Sequence, residues 1–241
     1  MVQRLGRTED IDVTSFDATD IFSEALSEVD YLLKTAAVNE KDEDAYNALN
    51  KAAILLLAAK LEAFCEQILE EFCFRINKKG LSCARLPIRI RLNATRTLLH
   101  AEFLKWLEHY DEAKTVPSLE ALSRLWQQDA IPTNIVMDCK FSYGKHGERE
   151  FRRLFQRIGV EDVFESCKVT DDVESYDIVP DGQQNTAVTS DVNALVGFRN
   201  YIIHNDGTPT VTHIQVERYR KRLFLFAQAI DLLITQVLLE V

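Results

Sequence analysis

Apolar residues recur along much of the chain at steps of three and four. Phe22, Leu26, Val29 and Leu33 form one such stripe, and the spacing predicts an amphipathic helix over about 17–37. A longer helix is predicted over about 43–77, carrying Leu49, Ala53, Leu56, Leu57, Leu61, Phe64, Ile68 and Phe72. Between Ala52 and Ala59 it is apolar nearly all round, and a helix without a wet face belongs in the middle of a bundle. Asn77-Lys78-Lys79-Gly80 ends it. Near the C-terminus, Thr212 and Gln215 have the spacing of a capping box. Val216, Leu223, Ile230 and Val237 then repeat every seven residues, with Tyr219, Phe226 and Leu233 three after the first three of them. Such a seam packs against partner helices, within a bundle or across a dimer.

The middle of the chain is less regular. Leu86-Pro87-Ile88-Arg89-Ile90-Arg91-Leu92 alternates and contains proline, which reads as an extended connector or edge strand. Asn93 is a candidate cap for a helix to about Tyr110. Val116-Pro117-Ser118 is expected to open another short helix, because proline is tolerated only at a helix start. Gly147 to Ile158 is a further helix candidate. Residues 167–189 are polar and turn-rich, which suggests a loop or insertion with a short hairpin. Helix is expected to resume near Ser190-Asp191 and run to about His204, where Asn205-Asp206-Gly207-Thr208-Pro209 stops it.

These elements give an all-α expectation: an up-and-down helical bundle with long central and C-terminal helices, in one domain over residues 1–241. The composition, 46% hydrophobic and 27% charged in 241 residues, allows a real core and excludes collagen-like and wholly disordered readings. Purely apolar runs are too short to cross a bilayer, and Met1-Val2-Gln3-Arg4 lacks the apolar core of a secretory signal. Five scattered cysteines suit reduced thiols. A cytoplasmic protein without membrane contact is therefore expected.

The formal net charge of -10 argues against a protein that coats nucleic acid, so any nucleic-acid contact must be local. Acidic residues dominate from Glu9 to Asp44. Phe72 to Ala101 holds no Asp or Glu and carries Arg75, Lys78, Lys79, Arg85, Arg89, Arg91 and Arg96. A second basic knot sits at Arg218, Arg220, Lys221 and Arg222. Such runs are either solvated faces or patches that track a phosphate backbone. Tyr143-Gly144-Lys145-His146-Gly147 is either a turn before a helix or a loop that sets Lys145 and His146 beside a phosphate; it is not a P-loop. Cys65, Cys73 and Cys83 are spaced too widely for a zinc site and read as core. No metal and no cofactor is expected. Glu62, with Lys60 and Glu66, is a polar stripe or lies near the candidate site described next.

That site is Arg199-Asn200-Tyr201-Ile202-Ile203-His204, at the end of a predicted helix. Asn200 and His204 are four apart and share a face. By average composition an Arg five before a His arises by chance in roughly a quarter of chains this long, and the added Asn lowers that to about one in a hundred. The bland alternative for His204 is a histidine that complements the helix dipole.

Arg199-Asn200-x-x-x-His204 between two long helices resembles the motif of the HEPN superfamily (higher eukaryotes and prokaryotes nucleotide-binding). Ala58-Ala59-Lys60-Leu61-Glu62-Ala63-Phe64 resembles its early central helix. Phe141 to Glu150, with Leu154-Phe155 and Ile158-Gly159-Val160, resembles the bacterial branch labelled MAE-type. Many members have Gly directly after the motif His. Here Asn205 follows, and Asn is expected to take the left-handed cap position instead. The resemblance implies a helical bundle that forms a homodimer with two Arg–His pairs at a shared cleft. It implies a metal-independent endoribonuclease acting on RNA, in which Arg199, Asn200 and His204 are catalytic. Arg75, Lys78, Lys79, Arg89, Arg91, Lys145 and His146 are the RNA-binding candidates. A toxin or phage-defence effector, with an antitoxin protein as partner, is the matching cellular role. The alternative is a catalytically silent dimeric module that binds nucleotide or RNA, or serves as a protein-interaction scaffold.

Overall fold

A computed structural model describes residues 15–142, 147–167, 169 and 184–241. Among them the chain forms helices and no strand. Four long helices make an up-and-down bundle: α1 (Asp17–Val38), α2 (Glu43–Lys79), α8 (Gln184–Asn205) and α9 (His213–Glu240). Cross-links give their directions. Glu28 on α1 pairs with Lys60 on α2, and Glu71 further along α2 accepts from Ala18 near the start of α1, so these two run antiparallel. Arg199 on α8 lies by Glu62, and Asp206 past its end lies by Lys51, so α8 is antiparallel to α2. Arg220 on α9 pairs with Asp30, and Asp231 reaches the start of α1, which sets α9 antiparallel to α1.

α2 is the axis of the bundle. Asp42 caps it by accepting from Ala45 N–H at 3.2 Å. Gly80 ends it with φ +57°, the left-handed position that glycine takes without strain. Ala53, Ile54, Leu57, Ala58, Leu61, Phe64, Cys65, Ile68, Leu69 and Phe72 are buried along one stripe, but Leu55 and Leu56 are only half-buried and Ala59 is exposed, so the apolar girth keeps a wet face after all. α9 starts with the expected Thr212–Gln215 capping box. Its buried stripe follows the seven-residue pattern as far as Ile230, then shifts by one to Ile234 and Leu238. A straight helix drifts in this way from a strict heptad. The stripe packs inside the bundle. By length and hydropathy alone α9 passes as a bilayer span.

The start of α1 is capped from a distance. Phe16 at its N-cap offers no side-chain acceptor. Asp231 of α9 takes the Phe16 N–H at 3.1 Å and the Thr19 hydroxyl at 2.5 Å, and its charge suits the positive end of the helix.

Among the described residues five shorter helices lie between α2 and α8: α3 (Ile88–Leu98), α4 (Ala101–Glu108), α5 (Glu112–Leu125), α6 (Glu148–Gln156) and α7 (Val163–Ser166). The alternating stretch 86–92 is helix, not strand. Pro87 is extended at the N-cap, and of the alternating apolar residues Leu86, just before the helix, and Ile90 are core, whereas Ile88 and Leu92 stay about half exposed at 49% and 47%. Asn93 does not cap; it is buried inside α3. His100 caps α4 instead, its Nδ1 accepting from Phe103 N–H at 3.0 Å. α5 opens at Glu112, before the expected start, and carries Pro117 in its second turn. α8 begins at Gln184, six residues before Ser190, so 184–189 is helix rather than loop. Residues 170–183, and with them the expected hairpin, lie outside the described residues.

Candidate functional site

The C-terminal end of α8 is held against α2. Val192 and Leu195 are fully buried and Ile202 nearly so, which turns the opposite face outward. Asp206, not Asn205, takes the left-handed conformation after the helix, with φ +48°. Lys51 on α2 donates to the Asp206 carbonyl at 3.3 Å and pairs with its carboxylate at 3.6 Å. Gly207 then passes under the Tyr201 ring, where a β-carbon would stand 2.2 Å from Cε1. Close approach, not backbone conformation, requires glycine here.

On this end sit the three motif residues. His204 is exposed in the last turn, and Arg199 and Asn200 are half-buried above it. The Arg199 Nη1–H donates weakly to Asn200 Oδ1 at 3.4 Å. Its Nε lies 3.9 Å from Glu62 Oε1 on α2. Glu62 thus belongs to the site, through the i, i+4, i+8 row of Glu62, Glu66 and Glu70. The other two members of that row hold the chain approaching residue 143. Glu66 accepts from Phe141 N–H at 2.9 Å and pairs with Lys140 at 3.1 Å, and Glu70 pairs with Lys140 at 2.7 Å. Where the chain returns, Glu148 N–H donates to Asn193 Oδ1 of α8 at 3.1 Å, and Asn193 Nδ2 donates back to the Glu148 carboxylate at 3.0 Å. Lys140 and Asn193 escaped sequence reasoning, since single polar residues carry no spacing signal. Lys145 and His146 lie outside the described residues.

The other basic candidates are placed elsewhere. Thirteen residues of α2, about 20 Å of helix, separate Glu62 from Arg75. Arg75 pairs with Glu71 at 2.7 Å, donates to Ser15 O at 2.9 Å and lies over the Phe16 ring. Lys79 donates to Leu238 O at 2.5 Å; burial first, then the nearby Arg85 charge, holds its pKa below the usual lysine value. Lys78 lies over Phe74 and Arg91 over Trp126. Arg89 pairs with Glu161 at 3.2 Å. The knot on α9 disperses: Arg220 binds Asp30, Lys221 binds Glu217, and Arg222 forms a buried pair with Asp191. Arg199 and His204 are therefore not joined by these residues into one continuous patch.

All five cysteines are free thiols. Burial raises Cys65 well above its ordinary value, reinforced by Glu62 and Glu66, and pushes Cys139 and Cys167 up to about 12. These are inert core thiols at neutral pH. Among the described residues no three His, Cys, Asp or Glu side chains converge as metal ligands.

A family model described as RiboL-PSP-HEPN matches residues 20–236, which is nearly the whole chain. The match carries that description and not the MAE-type label. No curated protein matches the chain, and no solved structure does.

Proposed function

The chain belongs to the RiboL-PSP-HEPN family, and from that membership and the end of α8 we propose that it is a metal-independent endoribonuclease acting as a homodimer. The observation that carries this is the placement of a tethered guanidinium and an exposed imidazole on one helix end. Arg199 is oriented by Glu62 and Asn200, and His204 stands free to meet a ligand on the same helix end.

RNA supplies its own nucleophile. The ribose 2′-oxygen attacks the adjacent phosphorus, and His204 of one copy takes its proton. Histidine is the side chain whose ordinary range suits both halves of such a transfer. Negative charge gathers on the non-bridging oxygens of the phosphorane, where the fixed fork of Arg199 stabilises it. The bond to the 5′-oxygen then breaks, and His204 of the second copy protonates that oxygen. The products are a 2′,3′-cyclic phosphate and a 5′-hydroxyl. Every proton and charge is handled by side chains, so the reaction needs no metal. A toxin or defence effector neutralised by an antitoxin protein is the cellular role that suits such an activity.

The Glu62 contact favours a second reading. A carboxylate 3.9 Å from Arg199 offsets part of the charge offered to phosphate, as in a silent binding module. Cleavage of single-stranded RNA in excess EDTA separates the two. The nuclease reading requires activity in the native chain and its loss in both His204→Ala and Arg199→Ala. Equal activity in all three, or none in the native chain, leaves the silent module.

A further inference from the structure

A basic concavity lies between α3 and α6, away from the end of α8. It encloses about 550 Å³, the range of small-ligand sites. α3 turns Arg89, Asn93 and Arg96 into it, at steps of four and three along one face. Glu150, Arg153 and Arg157 answer from α6 and the residue that ends it, at steps of three and four. Three of the guanidinium groups are already fixed: Arg89 by Glu161 at 3.2 Å, Arg153 by Glu150 at 2.8 Å and Arg157 by Asp138 at 3.1 Å. Each pairing uses part of a five-donor fork, so N–H groups remain. Arg96 has no ion pair among the described residues. Four cations against three carboxylates leave the walls with a positive surplus.

One further feature points to a ligand. Asn93 is 7% exposed, and its buried Nδ2 donor hydrogen-bonds to nothing among the described residues. Buried donors are nearly always paired. That donor is closed to solvent as it stands, so an oxygen reaches it only if the Asn93 amide turns toward the cavity; the four guanidinium groups on the walls are what call for an anion rich in acceptors.

We propose that this cavity binds a terminal phosphate group, carried either by a small phosphorylated ligand or by the 5′ end of an RNA. A terminal phosphate bears nearly two charges and three acceptor oxygens, which matches donors converging from two facing helices. An internal diester, with one charge and two free oxygens, suits an open groove better. Leu92 is the one apolar side chain among the described residues that line the cavity. No aromatic face among them receives a base, so recognition stops at the phosphate.

The test is calorimetric titration of the full chain with pyrophosphate at fixed ionic strength. Saturable binding is expected. Arg96→Gln, an exposed position, and the near-isosteric Asn93→Asp should each weaken it at least tenfold, whereas His204→Ala and Arg199→Ala should leave it unchanged. ADP should bind within a few-fold of pyrophosphate. Two all-deoxy oligonucleotides, one 5′-phosphorylated and one 5′-hydroxyl, identify the source. A preference for the phosphorylated end that is lost in Arg96→Gln assigns the site to RNA ends. Pyrophosphate binding without that preference assigns it to small ligands. No saturable binding, equal loss in Arg199→Ala, or an Arg96 effect on oligonucleotides regardless of their 5′ end would overturn the proposal. These outcomes do not depend on whether the chain cleaves RNA.

Discussion

Glu62 Oε1 on α2 stands 3.9 Å from the Arg199 Nε on α8. The carboxylate can aim the guanidinium, and it also repels an approaching phosphate. Removing it should therefore split the kinetic constants. Glu62→Gln is expected to lower kcat on RNA by about tenfold to a hundredfold, the scale of a misplaced catalytic group, while KM stays level or falls. A rise in KM with kcat unchanged would show that Glu62 has neither role.

Gly207 under Tyr201 gives a second test. Gly207→Ala places a β-carbon against a ring that is 46% exposed and so free to swing outward. The expected loss is about 1 kcal/mol, at the low end for overpacking. Gly207→Ala combined with Tyr201→Ala should lose less than the sum of the two single changes, as measured by denaturant unfolding. Strict additivity would mean that the contact contributes nothing.

Asp231 ties the last helix to the first, accepting from Phe16 and Thr19 at the start of α1. Asp231→Ala strands those donors in the core and should cost about 2–4 kcal/mol, by the scale of lost charged hydrogen bonds and caps. Asp231→Asn keeps one acceptor oxygen and should cost less. Equal small effects would show that α1 is capped by other means.

Cys139 and Cys167 are pushed up to about 12 by burial, from an ordinary 9.0. Below about pH 9 they are protonated whether the chain is folded or not, and their contribution to stability is complete. Between about 9 and 12 only the unfolded chain loses these protons, so stability falls as pH rises. The melting temperature is expected to drop across this window, with a shallower slope in Cys139→Ala combined with Cys167→Ala. An unchanged slope would contradict burial as the cause.

The long helices were legible because their apolar spacing and caps are local: Asp42, Gly80 and Thr212 each act within a few residues. Arg199, Asn200 and His204 were legible as a helical spacing and fall on one helix end. What could not be read depends on distant partners. Asp231 looks like a flaw in an apolar seam until α1 is brought to it from more than two hundred residues away. Basic residues such as Arg75 and Arg222 suggested a surface, but their carboxylate partners bind them to the fold. Alternation at 86–92 misled because Ile88 and Leu92 remain half exposed on a short outer helix. The left-handed stop passed from Asn205 to Asp206 because Lys51 anchors the latter.

The ends left on an RNA substrate test the chemistry proposed for His204 most directly. In-line attack by the ribose 2′-oxygen predicts a 2′,3′-cyclic phosphate and a 5′-hydroxyl in excess EDTA, absent with His204→Ala and with a 2′-deoxy residue at the cut. Products ending in a 3′-hydroxyl and a 5′-phosphate, or cleavage of the all-deoxy strand, would contradict it.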